Sequence, residues 1–345
     1  MRFFEHQEKA RAESRRLLLM FALTVLALVL AVNLLLGATW ALGWALVSPS
    51  ITRFSPVFPA YFFLVNSGVT LVFVVGGWWL ETSTMQGSGE KLALRAGARE
   101  AWPSSRLAEQ QLCNIAQELA IASSMPVPKV MVLNRAQGIN AFAAGWDEDD
   151  AVIAVTQGAL DQLTRDELQG LVAHELSHIR EGDTQLFMRL SGMVLGLELL
   201  HNMGRDMCEP NESGQRTLLA IPGLAVLAAG YLGWLAGRML RAAVARQREF
   251  LADARAVQFT RSKEGLGGVL RKVAGLRAAG DALPERFHPG VHHMLLVGED
   301  PAGHWFDAHP PLEERIRRIY GRRMPPLGKV SEGSTASPEA EFTYR

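Results

Sequence analysis

From Leu17 to Val47 the chain carries no charged residue. About 20 apolar residues suffice to cross the hydrocarbon core of a bilayer. Inside lipid the backbone must satisfy its own hydrogen bonds, which leaves helices and closed barrels as the only spanning structures. A leucine-rich run of this length therefore reads as one helix that crosses with tilt or overhang. Ser14-Arg15-Arg16 before it gives a faint twin-arginine pattern. The run is nevertheless too long for the apolar core of a cleaved leader, about 7–15 residues, so it reads as an uncleaved anchor behind a polar segment, residues 1–16. Phe58 to Leu80 is a second charge-free run, ending in Trp78-Trp79, a pair suited to a membrane interface. Ser48-Pro49-Ser50 and Pro56 mark a short loop between the two. Thr217 to Gly237 is a third run without charge, and Leu186 to Met203 is apolar apart from Arg189, Glu198 and His201.

The second constraint is His174-Glu175-Leu176-Ser177-His178. Positions four apart share one face of a helix. Two imidazoles so placed can take two corners of a tetrahedral Zn²⁺ site, and a glutamate beside the first can reach a metal-bound water. The helix is written into the same stretch: Thr164-Arg165-Asp166-Glu167 fits a capping box, and Leu168, Leu171, Val172 and Leu176 recur at helical spacing. Gly182-Asp183 is its expected end. A catalytic zinc needs a third protein ligand and an open position for water. Arg248-Glu249-Phe250-Leu251-Ala252-Asp253 supplies a candidate, again with two acids four apart. Glu249 is expected to bind the metal, and Asp253 to accept a hydrogen bond from the far nitrogen of a ligand histidine and fix its tautomer. Paired with the first motif, this face reads as part of a site; alone, it would read as a solvated, salt-bridged surface.

Sharing one ion puts His178 and Glu249 on one side of the membrane. If 217–237 crosses once, the chain must cross back between them, and 186–203 is the segment available. The alternative is two helices that dip in without crossing. Lysine and arginine near the spans give the orientation. Arg2, Lys9, Arg11, Arg15 and Arg16 precede the first span, Lys91, Arg95, Arg99 and Arg106 follow the second, and Arg238, Arg241, Arg246 and Arg248 follow the last. The other side has Arg53, and Arg205 and Arg216 among Asp206, Glu209 and Glu212. The site is expected to face the cytoplasm. Gly192/Gly196 and Gly233/Gly237 have GxxxG spacing, which ordinary glycine usage in membrane helices explains better than a dimer face.

Around these features the rest is modest. Residues 81–103 read as a basic, Gly/Ser-containing connector and Ser104–Ser123 as a helix ended by Pro126 and Pro128. Lys129–Leu133, Gly138–Ala144 and Ala151–Val155 read as short strands. Gly145–Asp150 is an acidic hairpin tip without the alternating ligands and central glycine of an EF-hand. Lys263–Leu276 reads as a helix; Gly265, Gly267 and Gly268 lack the following Lys-Ser/Thr of a phosphate loop. His288, His292 and His293 are assigned to a loop rather than a second metal site, Pro311–Tyr320 to a short charged helix, and 325–345 to a disordered tail. A formal net charge of zero gives no global field toward nucleic acid. Cys113 and Cys208, far apart and without CxxC spacing, predict neither a disulfide nor a cysteine-held metal.

The two motifs, Asn140-Ala141-Phe142-Ala143 upstream and His309-Pro310-Pro311 downstream occur in one order. From roughly Ser104 to Tyr320 the chain thereby resembles the membrane-bound zinc metallopeptidases that include the HtpX-like bacterial heat-shock proteases and the eukaryotic CAAX prenyl proteases. The resemblance, nearer to the HtpX-like members, implies a mainly α protein with a small β-sheet: four transmembrane helices and a zincin-like (gluzincin) α+β catalytic domain holding one Zn²⁺ per chain. The expected division is 1–16 cytoplasmic segment, 17–80 two transmembrane helices, 81–185 catalytic domain with the first motif, 186–240 transmembrane hairpin, 241–324 catalytic domain with the third ligand, and 325–345 tail. Glu175 is expected as general base toward a zinc-bound water. His309 is expected near the metal, as oxyanion donor or as a resting-state fourth ligand. Asn140, Ala141, Phe142 and Ala143 are expected in an edge strand to which an extended substrate adds, with Asn140 as a polar anchor. The implied activity is zinc-dependent endopeptidase action on misfolded or partly extended membrane proteins at a bacterial inner membrane. Polypeptide substrates and the lipid bilayer are the implied partners; nucleic acid is not one, and a homo-oligomer is left open. A CAAX-type prenyl protease is disfavoured by four spans, because those relatives build a larger cage. A scaffold with a structural metal is disfavoured by Glu175, which metal binding does not need. A transporter is disfavoured by the scarcity of polar residues in the first two spans.

Overall fold

Charge-free leucine-rich sequence folds here as long helix. The computed structural model describes residues 2–47, 56–85, 89–210, 214–215, 218–280, 291, 294–298, 307 and 309–327. Helix α1 (Arg2–Val47) runs unbroken from the polar segment through the anchor. Helix α2 (Phe62–Met85) begins after Pro59, whose carbonyl accepts the Phe62 N–H at 3.1 Å, four residues later than the charge-free run. The loop expected at 48–50 lies outside the described residues. Helix α7 (Asp183–Cys208) and helix α8 (Ala220–Thr260) follow the first motif. Three described helices are long and apolar enough to cross a membrane: Leu19–Val47 of α1, Phe62–Leu80 of α2, and α8. Helix α7 is not one of them, since Arg189, Glu198, Arg205 and Asp206 dilute its apolar character.

The packing of α7 nonetheless follows α8 closely. A Cβ on Gly204 would collide with the backbone of Leu227, one on Gly230 would stand 2.7 Å from His201 Cα, and one on Gly237 would stand 2.7 Å from the Leu197 side chain. Position falls along α7 as it rises along α8, so the two form an antiparallel hairpin that leaves the first motif and returns to the third ligand. Gly196 has the same role toward α2, where a Cβ would collide with the Val74 carbonyl oxygen. The glycine pairs expected to be ordinary usage are thus close-approach points within one chain. Leu28, Val74, Leu197, Leu200, Val226 and Ala229 form the apolar seam between α1, α2, α7 and α8.

The remaining elements make one α+β unit beside this bundle: α3 (Gly89–Arg95), β1 (Arg99–Glu100), α4 (Leu107–Ser123), β2 (Lys129–Leu133), β3 (Ala141–Ala144), β4 (Val152–Thr156), α5 (Gln157–Gln162), α6 (Arg165–Arg180), α9 (Glu264–Ala278) and α10 (Leu312–Tyr320). The connector expected at 81–103 therefore contains a helix and a short strand. The sheet order is β1-β2-β4-β3, with β2 and β4 parallel and the other pairs antiparallel. Gly145–Asp150 is the turn between β3 and β4, as its acidic, glycine-led sequence implies. Side chains alternate between two cores. Val132, Ile153 and Val155 face the cluster built by α4, α6 and α9, while Met131, Leu133, Phe142, Val152 and Ala154 face the start of α7 and Leu295. A strand buried on both faces reads as continuous apolar sequence, which is why these strands show no polar alternation. Gly265, in the glycine group of α9, lets that helix cross α6 at Gly170, where a Cβ would collide with the Leu266 N–H. The expected disorder of 325–345 fails at its start: Leu327 N–H donates to the Arg271 carbonyl at 3.0 Å and Arg271 Nε to the Pro325 carbonyl at 2.8 Å. The rest of that tail, and His288, His292 and His293, lie outside the described residues.

Candidate metal centre

The first motif sits on a helix that is fixed at its start and buried over its length. Thr164 and Glu167 close the capping box reciprocally, with Thr164 N–H on Glu167 Oε2 at 2.8 Å and Glu167 N–H on Thr164 Oγ1 at 3.4 Å. Lys272 Nζ on α9 holds the same Glu167 oxygen at 2.6 Å. From Gly170 through Ile179 every residue of α6 is buried, so His174, Glu175 and His178 project into protein rather than into water.

Helix α8 crosses α6 where Glu249 and Asp253 lie. His174 Nε2 and His178 Nε2 are 3.2 Å apart. Glu249 Oε2 stands 3.6 Å from the first and Glu249 Oε1 3.7 Å from the second. One ligand atom from each of the three residues lies within 4.8 Å of the others. The outer ring nitrogens face carboxylates: His174 Nδ1 is 3.2 Å from Asp253 Oδ1, and His178 Nδ1 is 2.9 Å from Asp183 Oδ2. Hydrogen-bonding Nδ1–H to a carboxylate leaves the lone pair on Nε2. Two such lone pairs 3.2 Å apart repel unless a positive particle lies between them. A proton serves in the metal-free protein. Burial disfavours a charged His178 ring, but Asp183, Glu249 and Glu175 outweigh it and raise its pKa to about 9. The surroundings that favour that proton also favour a cation, and two imidazoles with one carboxylate are a zinc donor set. The residues present therefore fit Zn²⁺.

Glu175 is 1% exposed, and neither of its carboxylate oxygens makes a hydrogen bond. Burial raises its pKa to about 8, with the His178 ring opposing, the Glu249 carboxylate adding to the rise and Arg315 lowering it. A buried acid without a donor is poised to exchange a proton with whatever enters beside it. His309 Nδ1 lies 3.5 Å from Glu249 Oε1, so the late His-Pro does reach the cluster. Strand β3 is last in the sheet order, yet its outer side is not bare. Phe142 forms an antiparallel bridge with Leu295, and Leu296 N–H donates to the Ala141 carbonyl at 2.9 Å. Asn140 clasps the same segment, its Nδ2 donating to the Val297 carbonyl at 3.0 Å and its Oδ1 accepting from Val297 N–H at 3.3 Å.

Two residues of the cluster escaped the sequence reading. Asp183 orients His178 and is itself 3.2 Å from Arg248 Nη1. Its one signal is an acid directly after the glycine that ends the motif helix. Arg315, fully buried, contacts Asp253 and Glu249 at 2.7 and 2.9 Å; locally only Ile316 and Ile319 on its side of the helix set it apart from Arg317 and Arg318.

Residues 106–323 match the profile of Peptidase family M48. Among curated proteins, the chain is 35% identical over 229 residues to a protease HtpX homolog of Ligilactobacillus salivarius, covering 62% of this chain and 74% of that one. It is 34% identical over 284 residues to the homolog of Caldanaerobacter subterraneus, covering 75% and 88%. Among solved structures, the crystal structure of S. mikatae Ste24p aligns over 88% of this chain and 66% of that one, at 15% identity and a TM-score of 0.41.

Proposed function

The chain belongs to peptidase family M48, and from that premise we propose that it is a membrane-embedded zinc endopeptidase that cleaves extended or misfolded segments of membrane proteins. The observation carrying this reading is the convergence of two Nε2 atoms and the Glu249 carboxylate beside the donor-less Glu175. A Zn²⁺ held by His174, His178 and Glu249 would supply a Lewis acid and bring the pKa of a water to about 7. Glu175 takes the proton of the attacking water and returns it to the leaving amine. Asp253 and Asp183 keep the Nδ1 protons on His174 and His178, so both rings present Nε2 inward. His309 donates to the oxyanion as the tetrahedral carbon forms. Asn140, Ala141, Phe142 and Ala143 form the rail for an extended substrate. Ala141's carbonyl already accepts Leu296 N–H, so a substrate strand competes with that residue for it.

Four spans, α7 being the fourth, would set the position of this chemistry. Helix α7 lies along the apolar half of α8 as an antiparallel partner, so a crossing by α8 carries α7 across beside it. Helix α8 is continuous from Ala220 through Glu249. At 1.5 Å per residue the ligand stands about 18 Å beyond Gly237, less if the helix tilts. The Lys/Arg flanks favour the cytoplasm for that side, and the bacterial relatives favour a bacterial inner membrane. A centre so tethered reaches juxtamembrane loops and partly extracted segments. The test is proteolysis of an unfolded or membrane substrate by the purified full chain, with zinc and with a chelator, against Glu175→Gln. Chelator-sensitive cleavage by the wild type alone is expected; equal cleavage by the zinc-loaded variant overturns the reading.

A further inference from the structure

Helix α10 carries three arginines within four residues, and one of them points inward. Arg317 and Arg318 have side chains 54% and 55% exposed and pair with Glu314 on the same helix. Arg315 is 0% exposed, on the side of Ile316 and Ile319. A buried guanidinium is costly unless every donor is engaged and its charge is matched. Here Nε and Nη2 donate to Asp253 Oδ2 and Oδ1 at 2.9 and 2.7 Å. Nη1 lies 2.9 Å from Glu249 Oε2 and donates to the Leu296 carbonyl at 2.6 Å. Each partner leads onward. Asp253 faces His174 Nδ1, Glu249 faces both Nε2 atoms, and Leu296 N–H is on the Ala141 carbonyl of β3.

We propose that Arg315 is a positioning residue of the metal centre. It locks the Asp253 carboxylate with a two-point fork, holds Glu249 beside it by an ion pair, and ties both, through Leu296, to the strand that carries the substrate rail. The proposal rests on the zinc-peptidase reading above. A guanidinium is planar and binds a carboxylate with two parallel N–H bonds, a constraint that an ammonium cannot impose. Nη1 stands 2.9 Å from Oε2 of Glu249, while Oε1 faces His178 Nε2 and His309 Nδ1, so the ion pair sets which way that carboxylate is turned. With both oxygens of Asp253 on the fork, that carboxylate cannot rotate away from His174.

Charge and geometry pull in opposite directions at this position, which makes the proposal decidable. A fixed cation so close to the ion opposes metal binding by Coulomb repulsion. If Arg315 acted through charge alone, removing it would tighten zinc. If it acts by holding two carboxylates in place, removing it loosens zinc, by about 10–100-fold for an outer partner of a metal ligand.

The experiment uses the full chain purified in detergent. Zinc dissociation constants are measured by competition with a chromophoric chelator for the wild type, Arg315→Met, Arg315→Lys and His178→Ala. Thermal unfolding of each metal-free protein serves as the check on folding. Arg315→Met is expected to bind zinc about 10–100-fold more weakly than the wild type. Arg315→Lys, which keeps the charge and lacks the fork, is expected to remain at least about 10-fold weaker. If Arg315→Met does not fold, Arg315→Lys decides alone. Wild-type affinity or tighter in the folded Lys variant overturns the proposal and leaves the metallopeptidase reading standing. A wild type no tighter than His178→Ala overturns that reading, and this proposal with it.

Discussion

His178 Nδ1 and Asp183 Oδ2 are 2.9 Å apart although they stand on different helices. Gly182, with φ of 73°, turns the chain between them, a conformation a side chain would resist, and α7 begins at Asp183. The turn that ends the motif helix thus delivers the carboxylate that orients the second histidine. Asp183→Asn removes the acceptor charge while keeping the shape. The expected outcome is a loss in zinc affinity of about 10–100-fold, read by chelator competition. Unchanged affinity would show that the pair is a by-product of the turn.

Glu175→Gln separates metal binding from proton transfer. Glutamine leaves His174, His178 and Glu249 in place, so zinc content by elemental analysis should stay at one per chain. It cannot accept a proton, and the rate should fall by at least about 10²–10⁴-fold. Parallel loss of zinc would move Glu175 from the reaction to the ligand set.

The crossing of α6 and α9 depends on Gly170 having no side chain. A methyl there collides with the Leu266 N–H and stands 2.5 Å from the Gly265 carbonyl carbon, both backbone atoms that cannot step aside. Gly170→Ala should cost about 1–3 kcal/mol, seen as a lower thermal midpoint. Gly76→Ala, where an added Cβ meets nothing within 4 Å, is the control and should stay within about 0.5 kcal/mol. Equal midpoints in the two variants would refute the close-approach account.

Glu109 gives the α+β unit an acid-sensitive joint. A hydrogen bond from Arg99 holds its carboxyl below the usual value of 4.5; burial opposes this, and the Trp102 amide adds to it. A carboxyl with a lowered folded-state pKa contributes stability that is complete above the unfolded value of 4.5 and fades as pH falls through the folded one. Glu109→Gln should therefore lose stability at neutral pH and show a flatter decline below about pH 4.5. The check is the thermal midpoint across pH, and parallel wild-type and variant curves would count against the joint.

The motif helix was legible because its evidence is local. A capping box, a 3.6-residue apolar period and two histidines four apart all lie within one stretch, and Glu249 with Asp253 repeats the spacing on α8. Chain-distant pairings were not legible. Nothing local marks Arg315 as the inward arginine of α10 except that Ile316 and Ile319 share its side. The parallel pairing of β2 with β4 leaves no pattern, since both strands are apolar on both faces. The glycines of α7 and α8 looked like ordinary membrane-helix usage because a close approach is visible only with the partner helix beside it.

The same blindness hid the occupant of the β3 edge, and it sets the last prediction. Leu295, Leu296 and Val297 are buried to 4% exposure or less, and they make with β3 the contacts a bound peptide strand would make: an antiparallel bridge at Phe142, an N–H on the Ala141 carbonyl, and a two-way clasp by Asn140. An extended peptide that uses the rail must take Ala141's carbonyl from Leu296. Hydrogen exchange reads this directly. In the ligand-free protein the Leu296 amide should exchange slowly, being buried and bonded. On binding a non-hydrolysable extended peptide it should lose protection as its acceptor is taken, while the Thr156 amide, bonded to the Asn140 carbonyl on the inner side of the strand, stays protected. Retained protection at Leu296 in the peptide complex would place the substrate elsewhere and leave Asn140–Ala143 a structural strand closed by its own chain.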